Sequence, residues 1–253
     1  MTKFEGWIEE IICELNASWA IAKKDVAIYY FKPNILVSSA LFPLFMFLAF
    51  AVGRPAEPVT LIPGLIAITI LFSSSSIEPV SIPIERRMKT FDRLLSAPIS
   101  LHAIVLGESL SGFFYSIGIA SVPFMIGFVF FGIIPVNLFP FIIGVILTAF
   151  CFATMGTLFA AYPTDNPGDI MSMLNLVRLP LIFISGIFVP LTSIPFPGQY
   201  VALCSPLTYG ADLIKAGFEG TTLFHPLVDI AVLCFFIVFF QILANKLYKK
   251  FNE

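Results

Sequence analysis

Charge is scarce in this chain. Lys, Arg, Asp and Glu together make up 12% of its 253 residues, against roughly 25% in soluble domains. The formal net charge is −2, which leaves no basic face for nucleic acid. Histidine occurs only as His102 and His225, each near the end of an apolar run, a poor setting for catalysis or metal binding. Cys13, Cys151, Cys204 and Cys234 are widely separated and form no CxxC pair. That argues against a zinc or disulfide framework and reads as small apolar filler. No GxxxxGK[ST] occurs, so nothing here cradles a nucleotide phosphate. HExxH, GxSxG and any cluster of carboxylates within one apolar run are also missing, and an enzyme needs polar groups converging in one place. Residues 1–33 carry Glu5, Glu9, Glu10, Glu14, Lys23, Lys24 and Asp25 without an uninterrupted apolar stretch, the opposite of a cleavable signal.

What the chain has in abundance is apolar surface. Hydrophobic residues make up 58%, and the mean hydropathy is +0.96. A soluble core of this size cannot use that much apolar material, because it must also cover itself with a polar surface. Lipid accepts it, and a crossing takes about 20 mostly apolar residues. Six segments qualify, approximately 34–52, 59–80, 102–132, 137–162, 170–190 and 225–247. The reading is an all-α integral membrane protein, one domain over 1–253. Pro43, Pro123 and Pro180 fall inside spans, where kinks are tolerated. The small residues Ser73–Ser76, Gly107, Ser111, Gly112 and Gly118 suit close helix packing, the serine run alternatively lining a polar path.

Basic residues set the expected orientation. Lys3, Lys23, Lys24 and Lys32 precede the first span, Arg86, Arg87, Lys89 and Arg93 follow the second, and Lys246, Lys249 and Lys250 close the chain. Six crossings put all three groups on one side and only Arg54 and Lys215 on the other. Both termini are therefore expected in the cytoplasm.

Two stretches outside the spans carry helical patterns. In 4–32, Phe4, Ile8, Ile11, Ile12, Leu15, Trp19, Ala22 and Val26 recur at steps of three and four, with Glu5, Glu9, Lys23 and Lys24 opposite. This predicts an amphipathic helix along the membrane surface rather than a soluble one packed on the protein. In 85–97, Met88, Phe91, Leu94 and Leu95 share a predicted face, with Arg86, Lys89 and Arg93 elsewhere and Pro98 as the stop. The 191–224 segment is too short in each part to cross and too apolar to be a free loop, so short re-entrant helices in the outer leaflet are expected. Within spans, Arg178 is placed to pair with Glu108 or to snorkel, either residue is a candidate for a transport role, Glu108 also suits the interface, and Glu78 is expected there.

The run Glu85-Arg86-Arg87-Met88-Lys89-Thr90-Phe91-Asp92-Arg93-Leu94-Leu95-Ser96-Ala97-Pro98-Ile99-Ser100 resembles the cytoplasmic segment of type-2 ABC exporter permeases, roughly E-R-x-x-G-T-x-x-x-L-L-x-x-P-[IL]-S, with Lys89 where glycine is common. Ser185-Gly186 with Pro190, then Ile194-Pro195, is similar to that family's S-G-x-x-x-P-[LI]-x-x-[LMI]-P. Ser205-Pro206-Leu207-Thr208-Tyr209-Gly210 with Asp212 looks like its N-P-L-T-Y-x-x-D, serine replacing asparagine. The three occur in the family's order and resemble most its drug-efflux and nodulation-export branch.

That resemblance implies an exporter permease that binds no cofactor itself. ATP and Mg would sit on a separate ABC ATPase subunit. Two permeases would pair, as a homodimer or with a second permease, in membrane lipid. Residues 85–97 would form the coupling helix, with Glu85, Arg86, Arg87, Thr90, Phe91, Leu94, Leu95 and Pro98 at the ATPase contact, and Ser185, Gly186, Pro190, Pro195, Pro206 and Tyr209 would mark the outer segment. The competing readings are an ion-coupled secondary transporter, which needs ionisable groups clustered at mid-membrane, then a membrane enzyme, then a scaffold.

Overall fold

A computed structural model describes residues 3–30, 32–51, 58–189, 191, 195 and 197–252. The described residues are almost entirely helical. In chain order the helices are α1 (Lys3–Tyr29), α2 (Pro33–Leu36), a π-helical turn (Val37–Leu41), α3 (Phe42–Ala51), α4 (Pro58–Ser74), α5 (Glu78–Arg87), α6 (Thr90–Leu95), α7 (Leu101–Phe131), α8 (Leu138–Ala160), α9 (Pro167–Ile184), α10 (Gly198–Leu203), α11 (Pro206–Glu219) and α12 (Pro226–Asn252).

Among the described residues, five helical stretches are long and apolar enough to cross a membrane: Val59–Arg87, Leu101–Phe131, Leu138–Ala160, Pro167–Ile184 and Pro226–Phe251. The sixth expected span, 34–52, takes a different form. It is helical over Pro33–Ala51 but passes through the π-helical turn at Val37–Leu41, and its π segment and α3 pack on α4. At that turn Ser39 Oγ donates to the Ile35 carbonyl (2.6 Å) and lies 2.7 Å from Tyr115 Oη, which ties the irregular turn to α7.

The central stretch runs through α4 and α5 and is nearly all buried. It bends at Ser73–Ser76, and the cause is chemical. Each of these serine hydroxyls donates back to the carbonyl four residues earlier, to Thr69, Ile70, Leu71 and Phe72, a bond that bends helices. Pro79 has no N–H to give the Ser75 carbonyl, so that acceptor is free for another partner. All four serines are fully buried and satisfied by their own helix, which favours the packing reading of the run over a polar path.

Helices α7 and α8 flank this stretch, and small residues set the spacing. A Cβ at Gly156 would stand 2.8 Å from Ser75 Cα and from Glu78 Oε2, and one at Gly127 would stand 2.9 Å from Ile62 Cγ2. Helix α12 closes on α8. Helix α11 also lies against α8 and α4, seated where a Cβ at Gly144 would stand 2.8 Å from Leu213 Cβ. The expected re-entrant segment 191–224 thus contains a short α10 and a largely buried α11.

Helix α1 packs along α7 rather than lying free. Ser18 Oγ donates to the Ala103 carbonyl (2.8 Å), and a Cβ at Gly107 would stand 2.8 Å from the Ser18 carbonyl oxygen. The buried face of α1 is Ser18, Ile21, Ala22, Asp25 and Tyr29. The apolar positions expected to face the membrane divide: Ala22 is buried against the protein, while Ile11, Ile12, Leu15 and Trp19 are exposed on the other side. The helix therefore has a protein-facing side that is partly polar and an apolar side left open, the arrangement of a helix held between protein and lipid. All four cysteines are free, and only Cys151 is buried.

Candidate functional site

One end of the bundle collects most of the sequence-marked residues. Helix α5 carries Glu85 and Arg86 out of the central stretch and ends at Arg87. The chain then reverses through Lys89, which has φ 56° and ψ 22°. This is the left-handed region, cheap for glycine and costly for lysine. The coupling helix expected as one piece over 85–97 is therefore two, the end of α5 and the six-residue α6. Thr90 Oγ1 donates to the Glu85 carbonyl at 3.2 Å and closes the turn.

The segment is anchored inward by an aromatic and a cation. Phe91 is fully buried among Ile82, Ile104, Ala160, Ala244 and Tyr248, with Leu94 and Leu95 half-buried beside it. Met88, expected on the same face, is exposed, because the turn at Lys89 breaks the helical register. Arg86 donates to the Ala161 carbonyl (3.2 Å) and to that of Tyr162, at the C-terminus of α8, where the helix dipole favours a cation. Its guanidinium lies 5.4 Å from the Phe91 ring centre and 6.0 Å from that of Tyr248 on α12. The turn is thereby fastened to α8 and α12. Arg87, Met88, Lys89, Thr90, Asp92, Arg93 and Pro98 form its exposed edge.

Behind this turn lies a charge cluster that sequence periodicity misplaced. Lys24 was expected on the solvated face of α1. Its ammonium instead reaches Glu85 Oε1 at 2.7 Å, Asp25 Oδ1 at 3.1 Å and Glu108 Oε1 at 3.6 Å. The three carboxylates are buried, and Tyr29 Oη donates to Glu85 Oε1 at 3.3 Å. One cation thus joins α1, α5 and α7. Burial drives the Asp25 carboxyl up to about 6, opposed by the nearby Lys24 charge. The neighbouring Glu108, Asp25 and Glu85 carboxylates hold the Lys24 ammonium above its ordinary range against the effect of burial.

The pairing of Glu108 with Arg178, one of the two arrangements the sequence allows, does not form. Arg178, buried in α9, donates from Nε to Ser75 Oγ (3.0 Å), and from Nη2 to Ser76 Oγ (3.2 Å) and to the Ser75 carbonyl that Pro79 leaves free. Its guanidinium lies 5.2 Å from the Phe72 ring centre. Glu78, expected at the interface, is fully buried where Gly112 N donates to its Oε1 at 3.0 Å.

At the opposite end stand the remaining motif residues. Gly186, at φ 81°, ends α9 beyond Ser185, whose Oγ donates to the Ile182 carbonyl (2.8 Å). Lys215 Nζ donates to the Gly186 carbonyl at 3.4 Å. Pro195 is exposed, and Pro190 lies outside the described residues. Pro206 opens α11, Tyr209 Oη donates to the Leu203 carbonyl (2.8 Å), and the Asp212 carboxylate accepts from Leu223 N and Phe224 N at 3.0 Å. The motif thus folds α10, α11 and the following loop into one unit.

The family model for the ABC-2 type transporter matches residues 16–218, from within α1 to the end of α11. Among similar proteins, Nodulation protein J of Rhizobium meliloti is 27% identical over 161 residues, 60% of this chain and 58% of that one. Nodulation protein J of Rhizobium leguminosarum is 30% identical over 92 residues, 36% of this chain and 35% of that one. The inner membrane transport permease YadH of Escherichia coli is 25% identical over 195 residues, 75% of this chain and 74% of that one. The matched stretches therefore span about a third to three-quarters of these relatives. With the helical bundle and the family match over most of its length, this chain belongs to the ABC-2 type transporter family and is a multi-pass membrane protein of the permease kind.

Proposed function

We propose that the chain is the permease subunit of an ATP-driven exporter, moving a substrate outward with energy from a separate ABC ATPase subunit that holds ATP and Mg. The observation that carries this is the α5–α6 turn: its inner side is fixed to α8 and α12 by Arg86 and Phe91, and its outer edge is free. Such a turn can pass a push from a docked partner to several spans as one rigid body.

The topology follows from the same reading. Pro33–Ala51 makes a sixth crossing, and the basic residues of the α5–α6 turn and the end of α12 face the cytoplasm with both termini. Exposed apolar residues on α9, Leu176 and Phe183 among them, suit a face against lipid or a second permease, copy or partner.

The test is coexpression with an ATPase encoded beside this chain. Copurification and substrate-stimulated ATP hydrolysis are expected, with none from the chain alone. Met88→Asp on the exposed edge should remove the association while the fold is kept, and Leu94→Asp or Leu95→Asp should uncouple the pair. A folded chain that associates with no ATPase sinks the proposal. The cluster around Lys24 favours the second reading, an ion-coupled carrier, because it gathers ionisable groups. Glu108, however, lies only two turns into α7, away from the midplane where carriers of that kind bind ions. Transport that persists without ATP would support that reading.

A further inference from the structure

Arg178 is an expensive residue for its position. It is buried in an apolar helix, and charged groups at such depth mark pathways or ligand sites by default. Serine hydroxyls and a backbone carbonyl meet Nε and Nη2, but Nη1 has no hydrogen-bond partner among the described residues. The ion pairs among those residues all belong to Lys24, so no described carboxylate touches the guanidinium, and the buried Glu78 acts on it only through space.

The same residue lines a cavity of about 410 Å³, within the ~300–1,000 Å³ of small-molecule sites. Its walls include Val37 of the π-helical turn, Phe42 of α3, Phe72 of α4, and Met171, Asn175 and Arg178 of α9. The last three recur at steps of four and three, so one stripe of α9 presents them together. Phe42 meets Phe72 edge-on at 5.1 Å, and Phe72 in turn lies beneath the guanidinium. Val37 and Phe42 are themselves exposed, so the cavity reaches the surface beside them. π-helical turns recur at functional sites, and this one supplies a wall. The cavity is thus apolar except for one buried cation and one amide, the lining expected for a ligand with an apolar body and a single polar end.

We propose that this cavity binds an amphiphile carrying one anionic group. Its apolar body rests on Val37, Phe42 and Met171, and its anion takes Nη1 of Arg178 and the Asn175 amide. The site stands on the cavity alone. Only the fate of the ligand, carried outward or retained, rests on the exporter reading.

The test uses the full chain in nanodiscs of phosphatidylcholine and two photoreactive probes, a diazirine dodecanoate and its uncharged methyl ester, with labelled peptides read by mass spectrometry. The acid should label the peptides that hold Val37, Phe42 or Met171 about tenfold more than the ester, the fold-change of one hydrogen bond to a charged group. Arg178→Gln should abolish that preference and Arg178→Lys should retain part of it. Because Arg178 also holds Ser75, Met171→Trp serves as a second variant that fills the apolar end and leaves the arginine. It should lower labelling by the acid in a protein that elutes and melts like the parent. Equal labelling by acid and ester, a preference that survives Arg178→Gln, or acid labelling that Met171→Trp leaves unchanged overturns the proposal. With the site established, adding the ATPase subunit and ATP separates the sources: occupancy that falls identifies cargo, and occupancy that holds identifies a resident anionic lipid. Failure to find an ATPase leaves the labelling result intact, so the two readings fail separately.

Discussion

Replacing Lys24 with methionine removes, among the described residues, the one cation paired with three buried carboxylates. Methionine keeps most of the side-chain length, so the change is chiefly one of charge. Breaking a buried ion pair from one side costs about 3–5 kcal/mol, because the partner is left uncompensated. Lys24 is 31% exposed, so the low end, about 3 kcal/mol, is the fitting expectation, and a chain of this length should lose roughly 6–12 °C in melting temperature.

The pH dependence makes the prediction specific. The folded Asp25 carboxyl titrates near about 6, above its ordinary 3.8. The native state therefore holds a proton that the unfolded chain has released, and stability from this group falls as pH rises from about 4 to about 6. The 2.2-unit gap corresponds to about 3 kcal/mol at 1.36 kcal/mol per unit. Lys24 behaves oppositely at the alkaline end: its ammonium is held above 10.5, so its stabilisation is complete below that value and lost above it. Without Lys24 the Asp25 carboxyl rises further. The Lys24→Met loss should be largest near pH 8 and shrink near pH 5, where Asp25 is protonated. Melting of purified protein across this range, followed by fluorescence, measures it. Lys24→Arg should stay near the parent, and adding Glu108→Gln to Lys24→Met should recover part of the loss. An unchanged melting temperature at pH 8, or the same loss at pH 5 and pH 8, would refute the reasoning.

Three further outcomes follow from the site. Lys89→Gly should raise stability by about 0.5–1 kcal/mol, since the left-handed conformation costs lysine about 1–2 kcal/mol and glycine returns part of that as chain entropy; a lower melting temperature would contradict this. Phe91→Ala empties a fully buried ring site and should cost about 3–5 kcal/mol, with ATPase stimulation falling further than substrate binding does. Asp212→Ala orphans the N–H groups of Leu223 and Phe224, about 1–3 kcal/mol, and hydrogen exchange at those two amides should speed up while that of α8 holds.

Apolar length was the most legible property of the sequence. Five of the six predicted segments overlap helical stretches long and apolar enough to cross a membrane, because that property follows from composition and run length alone. The Pro33–Ala51 segment shows where that rule stops: it is apolar enough, but its π-helical turn answers to Ser39 and Tyr115, a contact across 76 residues that no local pattern carries. The two faces of α1 illustrate the same limit. Periodicity found the amphipathic character and an apolar stripe suited to lipid, but it left open whether the opposite, charged face meets water or protein. Only the close approach at Gly107 and the reach of Lys24 decide between them.

The intramembrane charges were legible as a set and not as pairs. Glu108 and Arg178 were each marked by their cost in lipid, yet distance along the chain says nothing of which span stands beside which. Arg178 found a backbone carbonyl that Pro79 had left free, and a proline four residues beyond an acceptor is the one local signal that foretells such a site. The same logic separates the two roles in the 85–97 segment. Phe91 and Arg86 turn inward to α8 and α12, so they hold the segment to its own bundle, and variants there should disturb the fold before they disturb a partner. Met88 and Arg93 stay exposed, so under the proposed function they are the residues a docked partner would meet. A motif shared across a family mixes both kinds of residue, and only burial tells them apart.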